Sequence, residues 1–150
     1  MSGTNEIRKH LLIKAPPSRV WRAITDADQF GTWFHVKLES AFVVGQATSG
    51  QITYQGWEHV RFTLHTEAIE PETRFAYRWH PYAVDMSKDY SAEPMTLVEF
   101  LLEPQDGGTL VTVVESGFDR LPAERIAEAF RMNERGWDEQ LENIRKYLGA

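Results

Sequence analysis

The sequence has 150 residues, 42% of them hydrophobic, a formal net charge of −6 and no cysteine. That length and apolar share suit one domain over residues 1–150, large enough to bury a core without staples. The missing cysteine excludes disulfides and thiolate metal sites. The negative balance, with no dense Lys/Arg cluster against it, argues against nucleic acid, whose binding rests on neutralising phosphates.

The chain opens on "MSGTNEIRKHLL", without the long apolar stretch of a secretory leader. No apolar run approaches the roughly 18 residues that read as a membrane span. The expectation is a soluble, cytoplasmic protein. Five Trp, five Tyr and eight Phe are a generous supply of flat side chains, which either pack a core or line a cavity.

Residues 6–15, "EIRKHLLIKA", alternate imperfectly, with Ile7, Lys9, Leu11 and Ile13 sharing one side, which predicts a strand with one dominant apolar face. "APPSRVWRAIT" predicts a short helix to about Thr25, with prolines in its first turn. "DADQFGTWF" predicts a second, capped by Asp26 and ending in Trp33-Phe34. "AFVVGQATSG", "QITYQGW", "EHVRFTLHTEAIE", "RFAYRWHPY", "MTLVEFLLEP" and "TLVTVVESGF" are rich in β-branched and aromatic residues and read as strands. Asp106-Gly107-Gly108 between two of them is the best hairpin signal. Residues 82–94, "YAVDMSKDYSAEP", are polar and aperiodic and read as a long loop, a length often functional or mobile.

From about Pro122 to Leu148 the chain reads as a helix about 40 Å long at 1.5 Å per residue. Ile126, Phe130, Trp137, Leu141, Ile144 and Leu148 form its apolar stripe, and Arg135/Glu139 and Glu142/Lys146 are i,i+4 pairs on a solvated face. Asn133 takes the place of an apolar residue within about 40° of the stripe's centre. It either bonds a nearby carbonyl or faces a cavity. Gly136 beside Trp137 costs roughly 1 kcal/mol relative to Ala; the expectation is that it admits a bend or a close approach of another backbone, so that an added methyl has no room. Strands that run together rather than alternating with helices give an α+β class with an antiparallel sheet.

Six stretches carry a family resemblance: "IKAPPSRVWRAITDADQFGTWF", "FVVGQ", "IEPETRFAYRWHP", "EPMTLVEFLLEP", "GGTLVTVVESGF" and "RGWDEQLENIRKYL". Together they span about residues 7–148, and the chain resembles the SRPBCC (START-like, helix-grip) superfamily, within it the homologues of the C-terminal domain of the heat-shock protein 90 ATPase activator. The resemblance implies a curved antiparallel sheet of about six strands wrapped around the long C-terminal helix, with two short helices after the first strand and a cavity between sheet and helix. Family members bind hydrophobic or aromatic small molecules, and some relatives are polyketide cyclases or aromatases. The eukaryotic activators carry a separate N-terminal domain, for which the sequence is expected to leave no room.

If the cavity exists, its candidate lining is Trp33 and Phe34 at the entrance, Trp57, Tyr77 and Trp79 from strands, and Phe130, Asn133 and Trp137 from the long helix. An apolar pocket with few polar groups is the usual small-molecule site. His10, His35, His59, His65 and His80 have no ligand spacing, so no metal and no cofactor are expected. His80 reads as solvent-facing or loop-anchoring. Glu99 falls opposite Val98, Phe100 and Leu102 and reads as outward-facing rather than catalytic. The leading expectation is a small-molecule binding protein for a hydrophobic or aromatic ligand. The alternatives are a cyclase-like or hydrolase-like enzyme and a chaperone-associated or stress-related interaction module with a chaperone partner.

Overall fold

A computed structural model describes residues 5–149; the reading of the first four residues lies outside them. The elements in chain order are β1 (Glu6–Ile13), α1 (Pro17–Thr25), α2 (Ala27–Phe34), β2 (Val36–Leu38), β3 (Ala47–Ile52), β4 (Arg61–Glu70), β5 (Arg74–Trp79), β6 (Thr96–Gln105), β7 (Gly108–Ser116), a 3-10 turn (Phe118–Arg120) and α3 (Ala123–Tyr147). Among the described residues the seven strands form one antiparallel sheet in the order β1-β7-β6-β5-β4-β3-β2. Long α3 crosses one face, and α1 and α2 bridge from β1 to the opposite edge. This is the helix-grip arrangement, with seven strands where about six were expected.

The difference lies between residues 36 and 60. The segments "AFVVGQATSG" and "QITYQGW" are not two strands; one strand, Ala47–Ile52, straddles their border. Tight turns on both sides stop it: Gln46 N–H donates to Val43 O before it, with Gly45 at φ 84°, and Trp57 N–H donates to Tyr54 O after it, with Gly56 at φ 92°. The seventh strand, Val36–Leu38, is three residues long and pairs with Ile52–Gly50; so short a run carries no period to read.

Local signals elsewhere act as expected. Asp26 caps α2, its carboxylate accepting from the N–H groups of Asp28 and Gln29 at 3.0 and 3.1 Å. Asp106 and Gly107 both have positive φ, 49° and 78°, closing the β6–β7 hairpin on the Gln105↔Gly108 pair. Alternation puts Val98, Phe100 and Leu102 in the core, and Glu99 on the outer face takes an ion pair from Arg74 Nε at 2.8 Å.

The stripe of α3 packs against the core along its length but is fully buried only in its C-terminal half. Trp137, Leu141, Ile144 and Leu148 are buried; nearer the N-terminus Ile126 and Phe130 are half-buried against the core, and the fully buried positions are Arg125 and Ala129. There the helix faces the 82–94 segment and the 3-10 turn instead of the sheet, so its contact face rotates. Phe130 packs edge-on against Phe118 with centroids 5.3 Å apart.

Gly136 also departs from expectation. An added Cβ there meets no neighbouring atom within 4 Å, so no backbone approaches closely. The helix therefore bears the glycine's entropic cost with no packing return. Gly136→Ala is expected to raise stability by about 0.5–1 kcal/mol, read as a higher urea midpoint; a lower midpoint would restore the close-approach account.

Candidate functional site

The register of three adjacent strands builds the site. On β7, Val111, Val113 and Glu115 share the core face by period two, and all three are fully buried. Val98 of β6 lies opposite Glu115, Thr96 lies two residues along on the same face, and Trp79 of β5 lies opposite Thr96. From above, α3 lowers Asn133 and Trp137, one turn apart. Four donors converge on the Glu115 carboxylate. Oε1 accepts from Asn133 Nδ2 at 2.9 Å and Trp137 Nε1 at 2.8 Å. Oε2 accepts from Trp79 Nε1 at 2.8 Å and Thr96 Oγ1 at 2.5 Å.

An indole N–H and an amide NH2 only donate, so three of these partners suit an oxygen that only accepts. The Thr96 hydroxyl alone can take a proton back. Burial raises the Glu115 carboxyl above the ordinary carboxylate value, and the hydrogen bonds from Thr96, Trp137, Trp79 and Asn133 pull against that rise. The Tyr77 hydroxyl, also fully buried, is pushed well above its usual value by burial and then by the Glu115 charge, and it has no hydrogen-bond partner among the described residues.

In front of this hub lies a cavity of about 650 Å3. Phe34, Phe62, Trp79 and Trp137 form its aromatic wall, Asn133 and Gln140 its helical side, and Tyr82 to Tyr90 its far side. The Trp79 and Trp137 rings lie 5.8 Å apart at 33°, and Phe34 sits 6.1 and 6.4 Å from them. A second chamber of about 420 Å3 adjoins it, sharing Phe34, Ile52, Val60 and Gly136 and adding His35, Tyr54 and Trp57. Gly136 lines both chambers, where a side chain would project into open space.

The long segment between β5 and β6 is held by Arg125, itself buried. Its Nη2 donates to Pro81 O at 2.9 Å and its Nη1 to Tyr82 O at 3.1 Å. Glu93 pairs with the same guanidinium at 2.9 Å, and the Tyr90 ring lies 4.8 Å from its centre. His80 adds a bond between Nε2 and Glu93 O at 3.1 Å.

Residues 14–149 match the family described as activator of Hsp90 ATPase homolog 1-like protein. The chain belongs to this family. No curated protein matches. Among solved structures the chain is similar to DynU16, a putative protein in the dynemicin biosynthetic locus, at 23% identity and TM-score 0.73, covering 97% of this chain and 48% of that one. It thus spans about half of DynU16. It is also similar to MLL2253 from Mesorhizobium loti, at 22% identity and TM-score 0.76 over 96% of both chains. A third similar structure is the Aha1 dimer from Colwellia psychrerythraea, at 18% identity and TM-score 0.68 over 93% of this chain and 92% of that one. At these identities the likeness concerns the fold.

Within this family fold the candidate residues part company. Phe34, Trp79, Asn133 and Trp137 meet at the inner cavity. Trp33 is not at an entrance: it is buried, its Nε1 donating to Ala23 O at 2.8 Å and its ring against Phe30 and Phe100. Trp57 lies in a turn rather than a strand, 39% exposed, stacked on His59 at the outer chamber. Tyr77 sits within the core among Phe30, Phe75 and Phe100, and Phe130 faces Phe118. Sequence reasoning missed Glu115, Thr96 and Arg125. For Glu115 the signal was present: counting by twos from Val111 and Val113 leads to it.

Two variants test the hub. Trp137→Ala is expected to cost about 3–5 kcal/mol in chemical denaturation, as for other buried large aromatics; a loss below about 1 kcal/mol would show that the ring packs against nothing. Glu115→Gln puts an NH2 opposite at least one indole N–H, which only donates, and is expected to cost about 2–4 kcal/mol. Its gap to the wild type also depends on pH. A carboxyl whose folded pKa is raised stabilises the fold most below its unfolded value, near 4.5, and that contribution is lost as pH rises through the folded value. The gap should therefore be widest below about pH 4.5 and narrower at neutral pH; a gap that widens with pH would mean that the four donors outweigh burial.

Proposed function

We propose that the protein binds a hydrophobic or aromatic small molecule between α3 and the sheet. The observation that carries this reading is the wall of Phe34, Phe62, Trp79 and Trp137 around a space of about 650 Å3, which falls in the usual range for small-molecule sites. The rings are stiff and mutually packed, so the space is shaped before a ligand arrives. The 82–94 segment covers its far side, and Arg125 fixes that segment to the helix at Pro81, Tyr82 and Glu93.

Binding accounts for the site better than catalysis does. The polar groups nearest the aromatic wall are spent on one another: Asn133 Nδ2 and both indole N–H groups bond Glu115, which lies fully buried among them. A reactive acid or base needs reach to its substrate, and this carboxylate is fenced by its own donors. The family description names an activator of an ATPase, but a protein partner calls for a broad apolar face. The exposed large apolar residues here, Val43, Val44, Tyr54, Trp57, Met86 and Tyr147, come from separate turns, the 82–94 segment and the end of α3.

The test is an indole and amide NMR titration with flat aromatics, phenols and fatty acids. Saturable shifts are expected at the Trp79 and Trp137 indoles, with Trp21 unmoved. Shifts confined to Trp57, or none from any compound, would overturn the reading.

A further inference from the structure

Asn133 lines the cavity, yet its amide nitrogen is turned away to Glu115 Oε1 at 2.9 Å. A carboxylate oxygen accepts only, so the amide cannot flip without setting oxygen against oxygen. Its Oδ1 is therefore the polar atom left for the cavity, and it has no protein partner among the described residues. The indole N–H groups of Trp79 and Trp137 are taken by the same carboxylate, so these rings offer the cavity their faces and edges but no donor. Further along α3, Gln140 repeats the pattern: its Nε2 reaches Phe34 O at 3.4 Å, and its Oε1 accepts from Asn143 with a lone pair to spare. Donors on the other side lie away from α3: Arg61 is engaged with Glu39 at 2.6 Å, and Lys88 and the Tyr82 and Tyr90 hydroxyls belong to the 82–94 segment, where Tyr90 Oη accepts from Asp85 N–H at 3.2 Å.

From this we infer that Glu115 sets the hydrogen-bond polarity of the cavity, making Asn133 an acceptor and selecting flat apolar ligands that carry a hydrogen-bond donor, such as phenols, over ethers of the same shape. The inference rests on the small-molecule reading above. Glu115 acts as a positioning residue and does not touch the ligand. The energetics favour strong discrimination. A donor placed on Oδ1 gains a bond beside the aromatic wall, whereas an ether oxygen there meets a second acceptor and leaves both unpaired.

The experiment compares 2-naphthol, 2-methoxynaphthalene and 2-naphthoate by calorimetry at pH 7, on the wild type, Asn133→Leu and Glu115→Gln. The wild type is expected to bind naphthol about tenfold or more tightly than the ether. Asn133→Leu should bring that ratio to about one by weakening naphthol alone. Glu115→Gln, which releases the amide to turn, should lower it too. Purely structural damage weakens both ligands together and leaves the ratio unchanged, so an unchanged ratio in a folded Asn133→Leu overturns the inference. If the variants do not fold, the wild-type ratio decides by itself. Equal binding of naphthol and ether, or tighter binding of naphthoate through Lys88, overturns the polarity while leaving the cavity reading intact. Absence of binding by all three overturns both.

Discussion

A carboxyl group taken fully out of water costs several kcal/mol unless its oxygens are bonded, and Glu115 meets that condition with donors from three separate elements. Trp79 comes from β5, Thr96 from β6, and Asn133 and Trp137 from α3, while Glu115 itself belongs to β7. No one of these elements can shift without stranding a donor or an acceptor. Apolar packing alone would let a helix slide or roll along a smooth sheet face, since it is non-directional. The four bonds remove that freedom. They set the height and rotation of α3 above the sheet, and with them the width of the cavity in front.

The same bonds decide what kind of surface the cavity has. An indole with its N–H free is an amphipathic group that accommodates either polar or apolar neighbours. With the N–H committed behind the wall, Trp79 and Trp137 become rigid apolar plates. Phe34 completes the corner because α2 ends there: His35 enters the left-handed region at φ 68°, which turns the chain into β2 and leaves Phe34 facing the two tryptophans. A local capping geometry, a strand register and a buried charge thus act on one set of rings.

The fold was largely legible because its signals are local and periodic. Alternation placed Val98, Phe100 and Leu102 inward, Asp26 announced α2, and Asp106-Gly107 announced the hairpin. The strand Val36–Leu38 was not legible, since three residues carry no period and only its pairing with β3 defines it. The candidate site was legible in part. Asn133 drew notice as a polar group in an apolar stripe, but its partner is 18 residues earlier on a strand, and its identity depends on the register between β7 and α3. Aromatic residues share one appearance in sequence whether they fill a core, as Trp33 and Tyr77 do, or wall a cavity, as Trp79 does. What separates them is the distance between layers, which no spacing records.

Arg125, in the first turn of α3, is the counterpart of Glu115, whose bonds meet the middle of that helix, and it explains why the deepest positions leave the stripe there. Apolar periodicity predicts Ile126 and Phe130 as the inward pair, and the structure buries Arg125 and Ala129 more deeply while those two pack half-buried at the core's edge. A buried guanidinium is tolerated only when its donors are met, and here they are met by two carbonyls and a carboxylate of the segment that closes the cavity. The partners are main-chain atoms at Pro81 and Tyr82, so Arg125 holds the path of that backbone whatever side chains the segment carries. The middle of α3 is thus fixed to the sheet by an anion, and its first turn to the segment by a cation. The cavity opens beside α3 from Asn133 to Gln140, so the helix that carries its back wall also holds the segment that covers it.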